Sequence, residues 1–341
     1  KNHPIYWKID GLFGEISSFL ERNKSPKYSF VYDQIVSFGE LISTQIICHY
    51  LNDKGIRNTW LDARNLVKTN SNYQEGEVDW QETERSIRES INPSLMYVTQ
   101  GFIGSDPNYF TTTLGREGSD YSAAIFAYCL KGENVTIWKD VAGVLNADPR
   151  YFSQTQLLEK IPYQEAIELA FYGASVIHPK TLQPLQRLDI PLNVRSFLHP
   201  EQAGSSVCNV KELSPKIPCY IRKQHQHLLS LSSLDFSFIA EENISFIFNL
   251  LATYQIKVSL LQNSAISFNL CIEDKYKNLS FLLEDLSKRF KVSCTENVVL
   301  YTVRHAQQDS FDFLGQDKEI LLEQFAQNTQ QKIVRDETHI L

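Results

Sequence analysis

The glycines, prolines and tryptophans of this chain are unevenly spread. Thirteen of fourteen glycines lie at or before Gly204, all four tryptophans at or before Trp138, and all twelve prolines at or before Pro218. Glycine and proline mark where a chain turns, and tryptophan supplies bulk to a core. Their loss partway along therefore calls for two differently built regions. The stretch NVKELSPKIPC, residues 209 to 219, has the polar, proline-punctuated composition of a linker. A length of 341 residues also suggests about two domains. We expect the first over residues 1 to 208 and the second over 209 to 341.

Ahead of the boundary, short apolar runs alternate with longer helical ones. LMYV (95 to 98), VTIW (135 to 138) and PLNVRS (191 to 196) predict strands, whereas 120 to 131 and 163 to 172 predict helices. This alternation favours an α/β fold, a mostly parallel sheet sandwiched by helices, with its site beyond the strand carboxyl ends. After the boundary, LLSLSS (228 to 233) and KVSLLQ (257 to 262) predict strands flanking a helix over 243 to 254. Ile266, Phe268, Leu270 and Ile272 alternate like a strand with one buried face. Tyr276, Leu279, Leu282, Leu283, Leu286 and Phe290 form an amphipathic helical stripe. With VSCTE following, the order is βαββαβ, a ferredoxin-like unit. VVLYTVRH and QKIVRD predict a partial second repeat with one poorly marked helix.

Forty acidic against 33 basic residues give a net charge of -7, which argues against a nucleic-acid partner. The six cysteines include no C-x-x-C pair and read as reduced cytosolic thiols, with no metal site. His225 and His227 form a lone H-x-H pair without a third ligand nearby. No uncharged apolar run reaches the ~18 residues of a membrane span, and residues 1 to 10 lack the apolar core of a signal peptide. The expectation is a cytoplasmic protein acting on small molecules.

The chemistry concentrates in TTTLGREGSD, residues 111 to 120. A helix starting near Ser119 leaves unpaired amides and a dipole that attract an anion. Gly115 and Gly118 allow close backbone approach, and Thr112 and Thr113 add hydroxyl donors. Arg116 brings a planar fork suited to a carboxylate, and Asp120 suits an ammonium or a neighbouring lysine. Opposite charges in one loop point to a zwitterionic ligand, although a capped helix after a glycine turn uses the same residues. Glu40 sits within the apolar IVSFGELIST, as a site carboxylate or a solvated one. In IWKDVAGVLNADPR, Lys139, Asp140 and Arg150 are candidates for nucleotide contacts. His178 in VIHPKT reads as a loop-packing residue.

Together these segments resemble aspartate kinase, an enzyme of the amino-acid-kinase fold. The resemblance rests on IVSFGELIST, VTQGFIGS, TTTLGREGSDYSAA, IWKDVAGVLNADPR, EAIELAFYGASVIHPKT and AGSSV, in family order over about residues 35 to 207. Residues 220 to 341 resemble the paired ACT regulatory domains that follow this kinase. The resemblance implies ATP- and Mg²⁺-dependent phosphorylation of L-aspartate to 4-phospho-L-aspartate, the first step toward lysine, threonine and methionine. It assigns Glu40, Thr112, Thr113 and Arg116 to the substrate, and Asp120 joins Arg116 in catalysis. Lys139, Asp140, Arg150 and Ser175 fall where the family holds the nucleotide. It further implies a feedback amino acid, lysine or threonine, near Ser259, Asn263, Ser264 and Ile266, and a homodimer through the ACT domains.

Three departures qualify these expectations. The family's amino-terminal K-F-G-G-T-S segment, with its phosphate-binding lysine, has no counterpart, so a preceding segment is expected. Ser175 replaces a nucleotide-contacting lysine. Glu242 and Ser259 stand where lysine-sensitive relatives place a glycine and an acid, and without that acid an ammonium lacks its countercharge. The competing reading is a non-catalytic amino-acid-binding subunit on a degraded kinase scaffold. Glutamate 5-kinase is a weaker alternative that conflicts with TTTLGREGSD.

Overall fold

The computed structural model describes residues 3 to 174, 177 to 235, 237 to 315 and 318 to 335. The chain divides into two compact units. The first comprises Lys1–Val144, Glu159–Ala170 and Ser175–Glu212, and the second Leu145–Leu158, Phe171–Ala174 and Leu213–Leu341. The main division thus falls within the expected linker. However, two short segments expected in the first domain cluster with the second.

The first unit opens with α1 (Ile5–Arg22) and α2 (Tyr28–Asp53). Leu12 and Ile16 of α1 pack on a core formed by Phe38, Leu41, Ala63 and Ile103. α2 ends where Gly55 takes φ 80°; its amide donates to Asn52 O at 2.9 Å and that of Ile56 to Leu51 O at 2.9 Å. This double closure satisfies carbonyls that the end of a helix leaves open, and glycine adopts its left-handed turn without strain. There follow β1 (Thr59–Trp60), α3 (Ala63–Leu66), α4 (Trp80–Ser90), β2 (Tyr97–Val98), β3 (Ile103–Ser105) and β4 (Thr111–Thr113). The remaining elements are α5 (Gly118–Leu130), β5 (Val135–Lys139), β6 (Lys160–Pro162), α6 (Tyr163–Tyr172), α7 (Pro179–Arg187), β7 (Leu192–Ser196) and β8 (Ser205–Cys208).

β1 pairs with β2, β5 with β7 and β6 with β8 in parallel, whereas β3 and β4 pair antiparallel, as do β7 and β8. Parallel pairings therefore predominate, as the alternating pattern predicts. α5 is buried through Ala124, Ile125 and Cys129, and Ile125 and Cys129 pack with Leu66, Val67, Ile87 and Leu114. The predicted helix over 163 to 172 coincides with α6.

The second unit is built on β9 (Cys219–Ser233), α8 (Glu241–Thr253), β10 (Lys257–Asn263), β11 (Ser267–Glu273), α9 (Leu279–Ser287), β12 (Phe290–Arg304), β13 (Ile320–Ala326) and β14 (Thr329–Arg335). Its six strands run antiparallel in the order β10-β11-β9-β12-β14-β13. The ferredoxin-like order appears in β9 to the start of β12. Leu229, Leu231, Ile247, Leu251, Phe268, Leu270, Leu282 and Leu286 form its core between sheet and helices. β9 and β12, each 15 residues long, continue past that unit and carry the second set of strands.

The helix expected in the second repeat is a correction. Among the described residues the connection from β12 to β13 holds a single 3-10 turn, Asp312–Leu314. Phe313 instead lies edge-on to Tyr220 at 5.8 Å and to Tyr301 at 5.4 Å, and Gly315 at φ 68° turns the chain away. No helix among the described residues is long and apolar enough to cross a membrane.

Candidate active site

The site is held in place by polar side chains buried beneath it. Asp33 on α2 is fully buried; one oxygen accepts the amides of Thr113 and Gln74, each at 2.9 Å, and the other accepts the Thr113 hydroxyl at 3.0 Å. Burial pushes the Asp33 carboxyl above its usual range, and these hydrogen bonds oppose the shift. Its neighbour Gln34 pairs with both backbone groups of Thr111, donating at 2.7 Å and accepting at 3.0 Å. Asp106 is buried as well and accepts from Ser71, Tyr73, Asn108 and Phe110. These bonds span up to 80 residues and fix the β3–β4 ribbon from both sides.

The threonines require a correction. Thr111, Thr112 and Thr113 are all buried. The hydroxyl of Thr112 is bonded to that of Thr69 at 2.6 Å, and that of Thr113 to Asp33. Committed to buried partners, these hydroxyls serve the scaffold and are not displayed to an anion. The tie to α2 required this, because a three-residue strand has few ladder bonds of its own.

Beyond β4 the chain turns and α5 begins at Gly118, close to the predicted start. A Cβ on Gly118 would lie 2.9 Å from that of Phe102, so only glycine lets the helix start lie against the bend that precedes β3. Ser122 fixes the contact by accepting the Phe102 amide at 2.8 Å. Arg116 projects from the turn, exposed and without a hydrogen-bond or ion-pair partner among the described residues. Asp120, in the first turn of α5, meets Lys139 at the end of β5, with Nζ and Oδ2 3.0 Å apart. The turn thus sets an unpaired guanidinium beside a helix amino end, with a half-buried ion pair closing the floor.

Two carboxylates complete the surroundings. Glu40 lies on the face of α2 whose next turn carries Thr44, the acceptor for Gln100 just before Gly101. Burial pushes the Glu40 carboxyl up. Glu117, which the sequence reading did not single out, caps α5 in the left-handed conformation at φ 53° and keeps one carboxylate oxygen buried without a hydrogen-bond partner. A glutamate between two turn glycines was the available signal. Asp33, Gln34 and Asp106 were missed too; the polar pair Asp33-Gln34 inside an otherwise apolar helix pattern was the readable sign.

The nucleotide candidates divide. Lys139 and Asp140 end β5 in the first unit, with Asp140 exposed. Arg150 belongs to the second unit, on an exposed turn where Asp148 grips it through Nε at 3.0 Å and Nη2 at 2.6 Å. That turn is carried by the six-stranded sheet of the second unit: Phe152 packs on Tyr220 at 5.5 Å, and the guanidinium of Arg222 lies 4.5 Å from the Tyr151 ring. Ser175 lies outside the described residues. His178 caps α7, accepting the Lys180 amide at 3.1 Å.

In the second unit, Asn263, Ser264 and Ile266 share one hairpin turn between β10 and β11, closed by Ser264 and Ser267 hydroxyls 2.6 Å apart. The Ile239 amide donates to Ala265 O at 2.9 Å, tying the approach to α8 to that turn. Ser259 is separate, at a bulge in β10, its hydroxyl buried without a partner.

A parallel-rich α/β unit with a charged turn at a helix start, followed in the chain by a ferredoxin-like unit, matches known families as follows. The amino acid kinase family matches residues 10–196. The chain is 36% identical over 308 residues to lysine-sensitive aspartokinase 3 of Escherichia coli, covering 86% of this chain and 67% of that protein. With bifunctional aspartokinase/homoserine dehydrogenase 2 of Arabidopsis thaliana it shares 37% identity over 183 residues, 53% of this chain and 20% of that one. The structure of E. coli aspartokinase III in complex with aspartate and ADP superposes over 97% of this chain and 78% of that one, with a TM-score of 0.80 and 29% identity. The chain belongs to the amino acid kinase family, and within it to the aspartokinases.

Proposed function

We propose that this chain transfers the γ-phosphoryl group of ATP to the side-chain carboxylate of L-aspartate. The observation that carries the reading is the unpaired Arg116 at the amino end of α5, in a turn anchored by buried Asp33 and Gln34. Arg116 seats the substrate α-carboxylate, and this reading gives the ammonium to the carboxylates of Glu117, next to it in the chain, and Glu40. The side-chain carboxylate attacks the γ-phosphorus in line, one P–O bond forming as that to ADP breaks. No protein base is needed, because the nucleophile is already ionised at neutral pH. Positioning and charge stabilisation account for the rest. Asp120 holds Lys139, and Lys139 and Asp140 are the groups of the first unit that this reading gives to the nucleotide. The Mg²⁺ would arrive on the ATP oxygens.

The second unit is read as a sensor for a feedback amino acid, lysine or threonine, at the β10–β11 hairpin. Its outer strands β10 and β13 offer edges for a homodimer. Six cysteines that form no disulfide suit the cytoplasm. The test is ADP release by the full chain with L-aspartate. Turnover with glutamate or UMP but none with aspartate overturns the substrate. Amino-acid binding without Mg-ATP binding in calorimetry favours a non-catalytic regulatory subunit.

A further inference from the structure

The helix-covered face of the regulatory sheet is apolar along most of its length and changes character in one row. On that face β9 carries Leu229 and Leu231, and β12 carries Val292 and Cys294, packed with α8 and α9. The next positions on the same face are His227 and Glu296. The ladder breaks there: Thr295 pairs with Leu228 and Val298 with Gln226, so Glu296 and Asn297 together oppose His227. Such a bulge re-aims side chains and is common beside binding sites.

The row opens into a cavity of about 330 Å³, roofed by the first turn of α9 and lined by His227, Glu296, Lys277 and Ser280 over Leu279 and Leu283. That volume lies within the range of small-ligand sites, about 300–1,000 Å³. His227 Nδ1 is shielded from solvent and has no hydrogen-bond partner, a state buried polar atoms seldom keep unless something else supplies the bond. Lys277, at φ 60°, and Glu296 are exposed and unpaired among the described residues. Asp274 at the same mouth is committed, accepting the amides of Asn278 at 2.9 Å and Leu279 at 2.8 Å. The free groups are thus a cation, an imidazole and a hydroxyl on one side and one carboxylate on the other, over an apolar floor.

We infer that this cavity binds a free α-amino acid with a small uncharged side chain. Lys277, Ser280 and His227 receive its carboxylate, Glu296 its ammonium, and the leucines its side chain. The hairpin turn at Ser264 lies at the other end of β11, where Ser267 pairs with Ser232, whereas the cavity lies where Ile272 pairs with His227. The two are separate sites. This inference goes beyond the kinase reading and is tested by binding alone.

The experiment titrates the full chain by calorimetry with L-valine and L-methionine, and with their N-acetyl forms. At least one free amino acid gives a saturable event that Glu296→Gln and Lys277→Ala each weaken roughly tenfold or more. Ser264→Ala leaves that event unchanged, and the N-acetyl forms, lacking the ammonium, do not produce it. Both altered positions are exposed, and thermal melts matching the parent confirm intact folding. Absence of any event, persistence in both variants, equal binding of an N-acetyl form, or loss in Ser264→Ala overturns the site.

Discussion

The packing beneath the first unit's turn and the core between the second unit's sheet and helices place polar groups in opposite ways. In the first, Asp33, Gln34, Thr69, Asp106 and Thr111 to Thr113 are buried and bonded to partners far along the chain. In the second, the core between sheet and helices is leucine, isoleucine and phenylalanine. Among the described residues, Ser259 and Glu296 keep side chains without hydrogen-bond partners at bulges of its strands. Hydrogen bonds are directional, whereas apolar burial is not. A directional lattice fixes one turn and the exposed Arg116 that it carries. An apolar core holds its layers together while leaving the rim for ligands.

Substitutions can break that contrast, beginning with the largest effect. Asp33→Ala strands the two buried donors of Thr113, each worth about 1–3 kcal/mol, and the part-buried amide of Gln74, so the first unit should lose about 2–6 kcal/mol in urea unfolding. A loss under ~1 kcal/mol would mean that the lattice is incidental. Leu282→Ala, at a fully buried position of α9, should cost about 2–5 kcal/mol in the second unit through its cavity. Differential hydrogen exchange can show whether the damage stays in that unit.

Glu40 sharpens the comparison through pH. Burial raises its folded pKa above 4.5, so as pH falls through the raised value the group gains a proton and no longer attracts an ammonium. The acid limb of kcat/KM for aspartate should therefore lie above pH 4.5. Glu40→Gln should lower kcat/KM roughly tenfold and flatten that limb; an unchanged profile removes Glu40 from the site. The smallest effect is expected for Arg150→Ala. Its fork with Asp148 is exposed, so stability should move by less than about 0.5 kcal/mol, while the KM for ATP rises if the residue meets the nucleotide.

Much of this was legible where periodicity carries the signal. The stripe from Leu279 to Leu286 and the alternation from Phe268 to Ile272 encode which face is buried, and they yielded the βαββαβ order. The helix start at Gly118 was legible because two glycines flank a charged turn. The threonine hydroxyls were misassigned, because a run of three reads the same whether it faces a ligand or a buried aspartate 80 residues away. The 145 to 158 segment follows β5 in sequence yet is held by the second unit, through Phe152 on Tyr220 and a bridge from Ala147 to Tyr220. Such partners are distant in the chain, and no local pattern announces them. The missing second helix has the same origin: Phe311 and Phe313 look apolar enough for one, but they stack together 5.9 Å apart beside Gly315.

The central claim is that the lattice beneath β4 exists to present Arg116 to the substrate carboxylate. Steady-state ADP release by Arg116→Ala tests it most directly, since the side chain is exposed and its removal should leave the fold intact. The account predicts that kcat/KM for L-aspartate falls by roughly 10²- to 10³-fold, with the KM for ATP unchanged. A variant that turns over aspartate like the parent contradicts it.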